Sequence, residues 1–104
     1  MTALNHATFQ KFTAEGTALV EFWAPWCVYC RRIAPALTKI AEQYAGTLAV
    51  GQVNIDDEPA LAAQEQIEVI PTLILYQDGQ ALGSIVAPES KAKLEEFINE
   101  TLGK

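Results

Sequence analysis

Trp23-Ala24-Pro25-Trp26-Cys27-Val28-Tyr29-Cys30-Arg31-Arg32 joins two patterned stretches of the chain. Before it, Ala18-Leu19-Val20-Glu21-Phe22-Trp23 is apolar throughout except for Glu21. Near-continuous hydrophobicity over the length of a strand is the mark of a strand covered on both faces, as in parallel sheets. After it, Ile33, Leu37, Ile40, Ala41 and Tyr44 recur at helical spacing and form one stripe. Pro35 lies inside this helix and is expected to kink it, and Gly46 ends it. The chain therefore runs from a buried strand directly into a long amphipathic helix, and both of its cysteines stand at that junction.

Reading outward, residues 6–14 form a short helix with Asn5 as its cap and Phe9 and Phe12 on its buried side. A short extra strand is expected at residues 2–4. Leu48 to Ile55 is a second buried strand, closed by Asp56-Asp57-Glu58-Pro59. Asp57 is the expected cap of a helix over 59–66, with acids near its positive end. Pro71-Thr72-Leu73-Ile74-Leu75-Tyr76 and Ala81 to Val86, joined by Gln77-Asp78-Gly79, read as an antiparallel hairpin. Ser90 opens a terminal helix that buries Leu94, Phe97, Ile98 and Leu102. Residues 1–104 thus form a single domain of the α/β class, a mixed central sheet in a layered sandwich.

Composition narrows the function. The chain has 104 residues, 7 Lys+Arg against 13 Asp+Glu, and a net charge of −6. That balance argues against nucleic acid or an anionic membrane as the main partner, because both need a basic footprint. Half of the residues are hydrophobic and 19% are charged, a globular composition. No apolar run reaches the roughly 18–20 residues of a membrane span. Met1-Thr2-Ala3-Leu4-Asn5-His6 lacks the basic flank and apolar stretch of a signal peptide, so a cytoplasmic location is expected.

A reducing cytosol does not maintain structural disulfides, so two cysteines this close point to catalysis or metal binding. A tetrahedral zinc site takes about four Cys or His ligands, and the chain has two Cys and the single His6. Zinc within one chain is disfavoured, zinc shared between two chains stays open, and no metal is assigned. Cys27 stands where a helix begins. Unpaired N–H groups and the positive end of the helix dipole there favour thiolate over thiol. Cys30 lies one turn on, placed to attack a mixed disulfide formed by Cys27, as dithiol–disulfide exchange requires. Arg31 and Arg32 add positive charge or form a solvated helix face.

Trp-Ala-Pro-Trp-Cys-x-x-Cys after an apolar strand, Asn54-Ile55-Asp56 after the next, and Ile70-Pro71-Thr72 before the hairpin together resemble the thioredoxin family over essentially the whole chain. The resemblance implies the thioredoxin fold, a central mixed sheet flanked by helices on both faces. It implies attack by Cys27, resolution by the less exposed Cys30, and a cis peptide between Ile70 and Pro71 facing the active site. The backbone of Ile70 would then pair, strand-like, with a substrate segment. Trp26, Ile70 and Pro88 would form an apolar rim around the cysteines, with Pro71 beside them.

Glu21 has apolar neighbours on both sides, and burial raises a carboxyl pKa, which suits a group relaying a proton to and from Cys30. Related thioredoxins carry Asp there, and often a Lys on the adjoining strand where this chain has Gln52. Gln does not offset the cost of ionising Glu21 as Lys would, so Glu21 is expected to stay protonated to higher pH. Val28-Tyr29 replaces the usual Gly-Pro. Tyr29 restores an N–H that proline lacks, and one more donor near the Cys27 sulfur would make the disulfide more oxidising. Ala87 stands where the family usually has Gly, and His6 reads as surface.

The expected activity is that of a thiol–disulfide oxidoreductase whose only redox group is the Cys27–Cys30 pair, with no separate cofactor. Its partners are thioredoxin reductase or an equivalent electron donor, and target proteins that contain disulfides. The chain holds no G-x-G-x-x-G of its own, and it is expected to act as a monomer. Two alternatives stand beside this one: a thioredoxin-like binding or scaffold protein with little reductase activity, and a more oxidising specialised oxidase or isomerase.

Overall fold

A computed structural model describes residues 1–104. The elements are β1 (Thr2–Ala3), α1 (His6–Ala14), β2 (Thr17–Trp23), α2 (Val28–Gln43), β3 (Ala49–Asn54), α3 (Pro59–Gln64), β4 (Thr72–Gln77), β5 (Gln80–Val86) and α4 (Lys91–Thr101). The five strands form one sheet in the order β1-β3-β2-β4-β5. β2 sits at the centre, parallel to β3 and antiparallel to β4, which places the strand before the cysteines under cover on both sides. The sheet is therefore mixed, as expected, although its central strand is parallel to only one neighbour.

Alternation along the strands divides the core into two layers. On one face Leu19, Leu48, Val50, Leu73 and Leu75 meet Ile33, Leu37 and Ile40 of α2 and Leu94 and Ile98 of α4. On the other, Val20, Phe22, Val53, Ile74 and Tyr76 meet Leu4, Phe9 of α1 and Leu61 of α3. Gly51 gives Leu4 and Phe12 room against the sheet: a Cβ there would lie 2.7 Å from Leu4 Cδ1 and 2.9 Å from Phe12 Cε2. A strand glycine is thus tied to the seating of α1 on the sheet.

Caps follow the expected chemistry at two helices. Asn5 caps α1 through the Thr8 N–H, and Ser90 caps α4 through the Lys93 N–H. At α3 the expectation fails: the cap position is Glu58, not Asp57, and no side chain bonds a helical N–H there. Pro59 opens that helix and has no N–H to satisfy. The Glu58 carboxylate turns away and accepts from the His6 N–H at the start of α1. The hairpin turns through Asp78 and Gly79, both with positive φ (50° and 86°), as a two-residue turn requires. α2 is continuous through Pro35, which is exposed. No helix is long and apolar enough to cross a membrane.

Candidate active site

Cys27 occupies the N-cap of α2, with φ −81° and ψ 107°. An N-cap side chain accepts from the N–H two or three residues on, a duty usually met by Ser, Thr, Asp or Asn. Here sulfur takes that place: the Cys30 N–H donates to Cys27 Sγ at 3.1 Å. A disulfide joins the two cysteines, whose Cα atoms are 5.2 Å apart. Cys27 is 7% exposed and Cys30 3%, so the first sulfur is the more open of the pair. The donor expected from Tyr29 is not at this sulfur: the bond comes from Cys30, and the Tyr29 N–H makes none to it. The cap geometry explains this, because Cys27 reaches across the turn to the third helical residue and not the second.

Three loops surround the pair. Trp26 is 63% exposed, and its Nε1–H donates to both carboxylate oxygens of Asp56, at 3.0 and 3.2 Å. That bond ties the approach to α2 to the loop after β3. Asp56 stood only inside a motif in the sequence, and its role as the Trp26 partner appears only in three dimensions. The Ile70–Pro71 peptide is cis, and Ile70 packs against the cluster of Ala24, Cys27 and Cys30. Neither the N–H nor the C=O of Ile70 is engaged by another group of the chain. Pro71 is buried, and its carbonyl accepts from the Ala87 N–H at 2.9 Å.

Pro88 is buried too. Its carbonyl accepts from the Tyr29 hydroxyl at 3.2 Å. Ala87 has φ 45°, the left-handed region that glycine enters freely and an alanine enters at a cost of roughly 1–2 kcal/mol. Arg31 is exposed, and its Nη1 donates to the Pro25 carbonyl at 2.9 Å, bracing the segment before Cys27. Val28 is 58% exposed beside the disulfide. His6 is exposed at the start of α1, away from this cluster.

Glu21 is 1% exposed. Leu19 belongs to the α2–α4 layer, and strand alternation places Glu21 on that same side. Its Oε1 accepts from Gln52 Nε2 at 2.9 Å, and its Oε2 has no partner. Burial pushes its pKa up, while the Gln52 hydrogen bond opposes the shift more weakly. Gln52 also lines a cavity of about 310 Å³ with Trp23, Asn54 and Asp57. No group of three or more His, Cys, Asp or Glu side chains is gathered as a metal site.

A five-stranded mixed sheet with helices on both faces, and a Cys-x-x-Cys disulfide at a helix N-terminus packed against the first residue of a cis Ile70–Pro71 peptide, define a thiol–disulfide oxidoreductase. The family model for thioredoxin matches residues 1–100. Thioredoxin 1 of Synechococcus elongatus is 39% identical over 102 residues, 96% of this chain and 95% of its own length. Thioredoxin 1 of Nostoc sp. is 42% identical over 101 residues, 95% of this chain and 94% of its own. The chloroplastic M-type thioredoxin of Spinacia oleracea is 35% identical over 101 residues, 95% of this chain and 56% of its own. The chain belongs to the thioredoxin family.

Proposed function

We propose that this oxidoreductase reduces protein disulfides by a two-step exchange. The Cys27 thiolate attacks one sulfur of a target disulfide; a Cys27–target disulfide forms and the other target sulfur leaves as a thiolate. Cys30, deprotonated in turn, attacks Cys27 Sγ and expels the second target thiolate. The products are the Cys27–Cys30 disulfide and a target dithiol, so two electrons have moved from chain to target. The observation that carries this reading is the sulfur cap, Cys30 N–H to Cys27 Sγ at 3.1 Å. A group that stabilises negative charge at the attacking atom is in place before any substrate arrives.

Glu21 takes up and returns the Cys30 proton in this scheme. Support comes from its burial, its free Oε2 and its raised pKa, which makes the ionised carboxylate a stronger base for the Cys30 proton and the carboxyl the form that later returns it. Trp26, Ile70, Pro71 and Pro88 shape the substrate groove, and the unengaged backbone of Ile70 offers strand-like pairing to the target segment. Val28, Tyr29 and Arg31 adjust the approach to Cys27. The oxidised pair is recharged by a thioredoxin reductase or an equivalent donor, and we place the cycle in the cytoplasm with the chain acting as a monomer.

The test is a coupled assay with insulin as the disulfide target and thioredoxin reductase with its nicotinamide donor. The expected result is catalytic insulin reduction, visible as precipitation of the freed chains, with one nicotinamide consumed per disulfide. A pair that accepts electrons from dithiothreitol yet leaves insulin intact at every concentration overturns the reading.

A further inference from the structure

The Tyr29 side chain exchanges no bond, electron or proton in the scheme above. Its ring packs against both the α2–α4 core layer and the Ala24–Cys27–Cys30 cluster, so it bridges scaffold and site. The Arg32 guanidinium lies over that ring, 5.9 Å from its centroid. The hydroxyl reaches across the site to the Pro88 carbonyl at 3.2 Å, a contact between residues 59 apart in sequence. The loop it meets is held at one other point, the Ala87 N–H on the Pro71 carbonyl. Between these two tethers Ala87 stands in the left-handed region.

We propose that Tyr29 is a specificity-determining positioning residue: its phenol straps the first turn of α2 to the loop after β5, holding Ala87–Pro88 as a fixed wall of the groove. The proposal rests on the protein-disulfide reading above, because a wall matters only to a substrate large enough to touch it. A half-buried phenol is suited to this duty. It is rigid, its ring is anchored at both ends, and its one polar atom is spent on the loop. A hydrogen bond of this kind is comparable in strength with the cost of a non-glycine residue in the left-handed region. Removing it leaves the loop with one tether and a backbone strain that relaxes by moving. A small disulfide reaches Cys27 Sγ without using the wall, whereas a target protein binds along it and depends on its being in place beforehand.

The experiment is Tyr29→Phe in the full chain, which keeps the ring and deletes the hydroxyl. KM and kcat are measured for insulin and for hydroxyethyl disulfide, and amide exchange is followed at Ala87. The expected result is a rise of about threefold to tenfold in the ratio of the insulin KM to the hydroxyethyl disulfide KM, with faster exchange at Ala87. Equal changes in both KM values, or a shift of more than twofold in the equilibrium with a glutathione buffer, place the hydroxyl's effect at the sulfur and overturn the strap. Unchanged exchange at Ala87 overturns it as well. That arm needs no turnover, so it judges the strap even if the parent protein fails to reduce insulin, an outcome that removes the protein-disulfide reading instead.

Discussion

Cys27→Ser is expected to reduce insulin turnover to background, while Cys30→Ser is expected to stop the reaction halfway with the target still attached. The asymmetry follows from position. Cys27 is the cap of α2 and the more exposed sulfur, so the first bond to a target forms there. Serine keeps the capping geometry, since its hydroxyl also accepts the residue-30 N–H, and the fold should survive the exchange. What is lost is a nucleophile that ionises near neutral pH. Cys30→Ser keeps that nucleophile and removes only its release, so a mixed disulfide accumulates and dithiothreitol frees it. Non-reducing electrophoresis with mass spectrometry reads both results. Equal activity of Cys27→Ser and the parent, or covalent capture through residue 30, contradicts the assignment.

Glu21→Gln is expected to raise stability at neutral pH by about 1–3 kcal/mol, because a neutral amide replaces a carboxyl whose ionised form burial disfavours. For a chain of this size that corresponds to roughly 5–20 °C in Tm. Burial raises the Glu21 pKa in the folded state. In the unfolded chain the carboxyl titrates near its ordinary value of about 4.3. Between these two pKa values the folded state holds a proton that the unfolded state has released. Its contribution is therefore fully present below the ordinary value. It falls by about 1.4 kcal/mol per pH unit as pH rises toward the folded-state pKa, and is level above it. Glu21→Gln removes this slope, so thermal melts of parent and variant diverge as pH rises from acid toward neutral. Parallel melting curves across that range contradict a buried, raised carboxyl. The proton-transfer role has its own readout: the pH–rate profile of the resolving step loses one ionisation in the variant.

Local patterns in the sequence carried the architecture. Apolar runs at Ala18–Trp23 and Leu48–Ile55 became β2 and β3, two of the three inner strands, and the Asp-Gly turn set the hairpin. These features depend on neighbours a few residues apart, where spacing is informative. The cysteine pair was legible for the same reason, since N-cap and third helical position are adjacent in space by construction. Contacts between distant segments were not legible. The His6 N–H took the Glu58 side chain away from the start of α3, across 52 residues, and the cap position fell at Glu58, one residue past Asp57. Trp26 and Asp56 meet across 30 residues, and Tyr29 and Pro88 across 59. Tyr29 shows the difference most clearly. Its backbone N–H was expected to act on the Cys27 sulfur, but its side chain does the reaching, toward the opposite loop.

All of the chemistry above depends on a sulfur held as an anion at the start of α2. Alkylation of the fully reduced chain by iodoacetamide, timed across a pH series with the modified cysteine located by mass spectrometry, measures that property directly. The predicted result is modification of Cys27 before Cys30, with a midpoint in the range of about 3.5–7.5 found for cysteines at helix N-termini. A midpoint near 8.5, as for cysteine free in solution, or first reaction at Cys30, would contradict it.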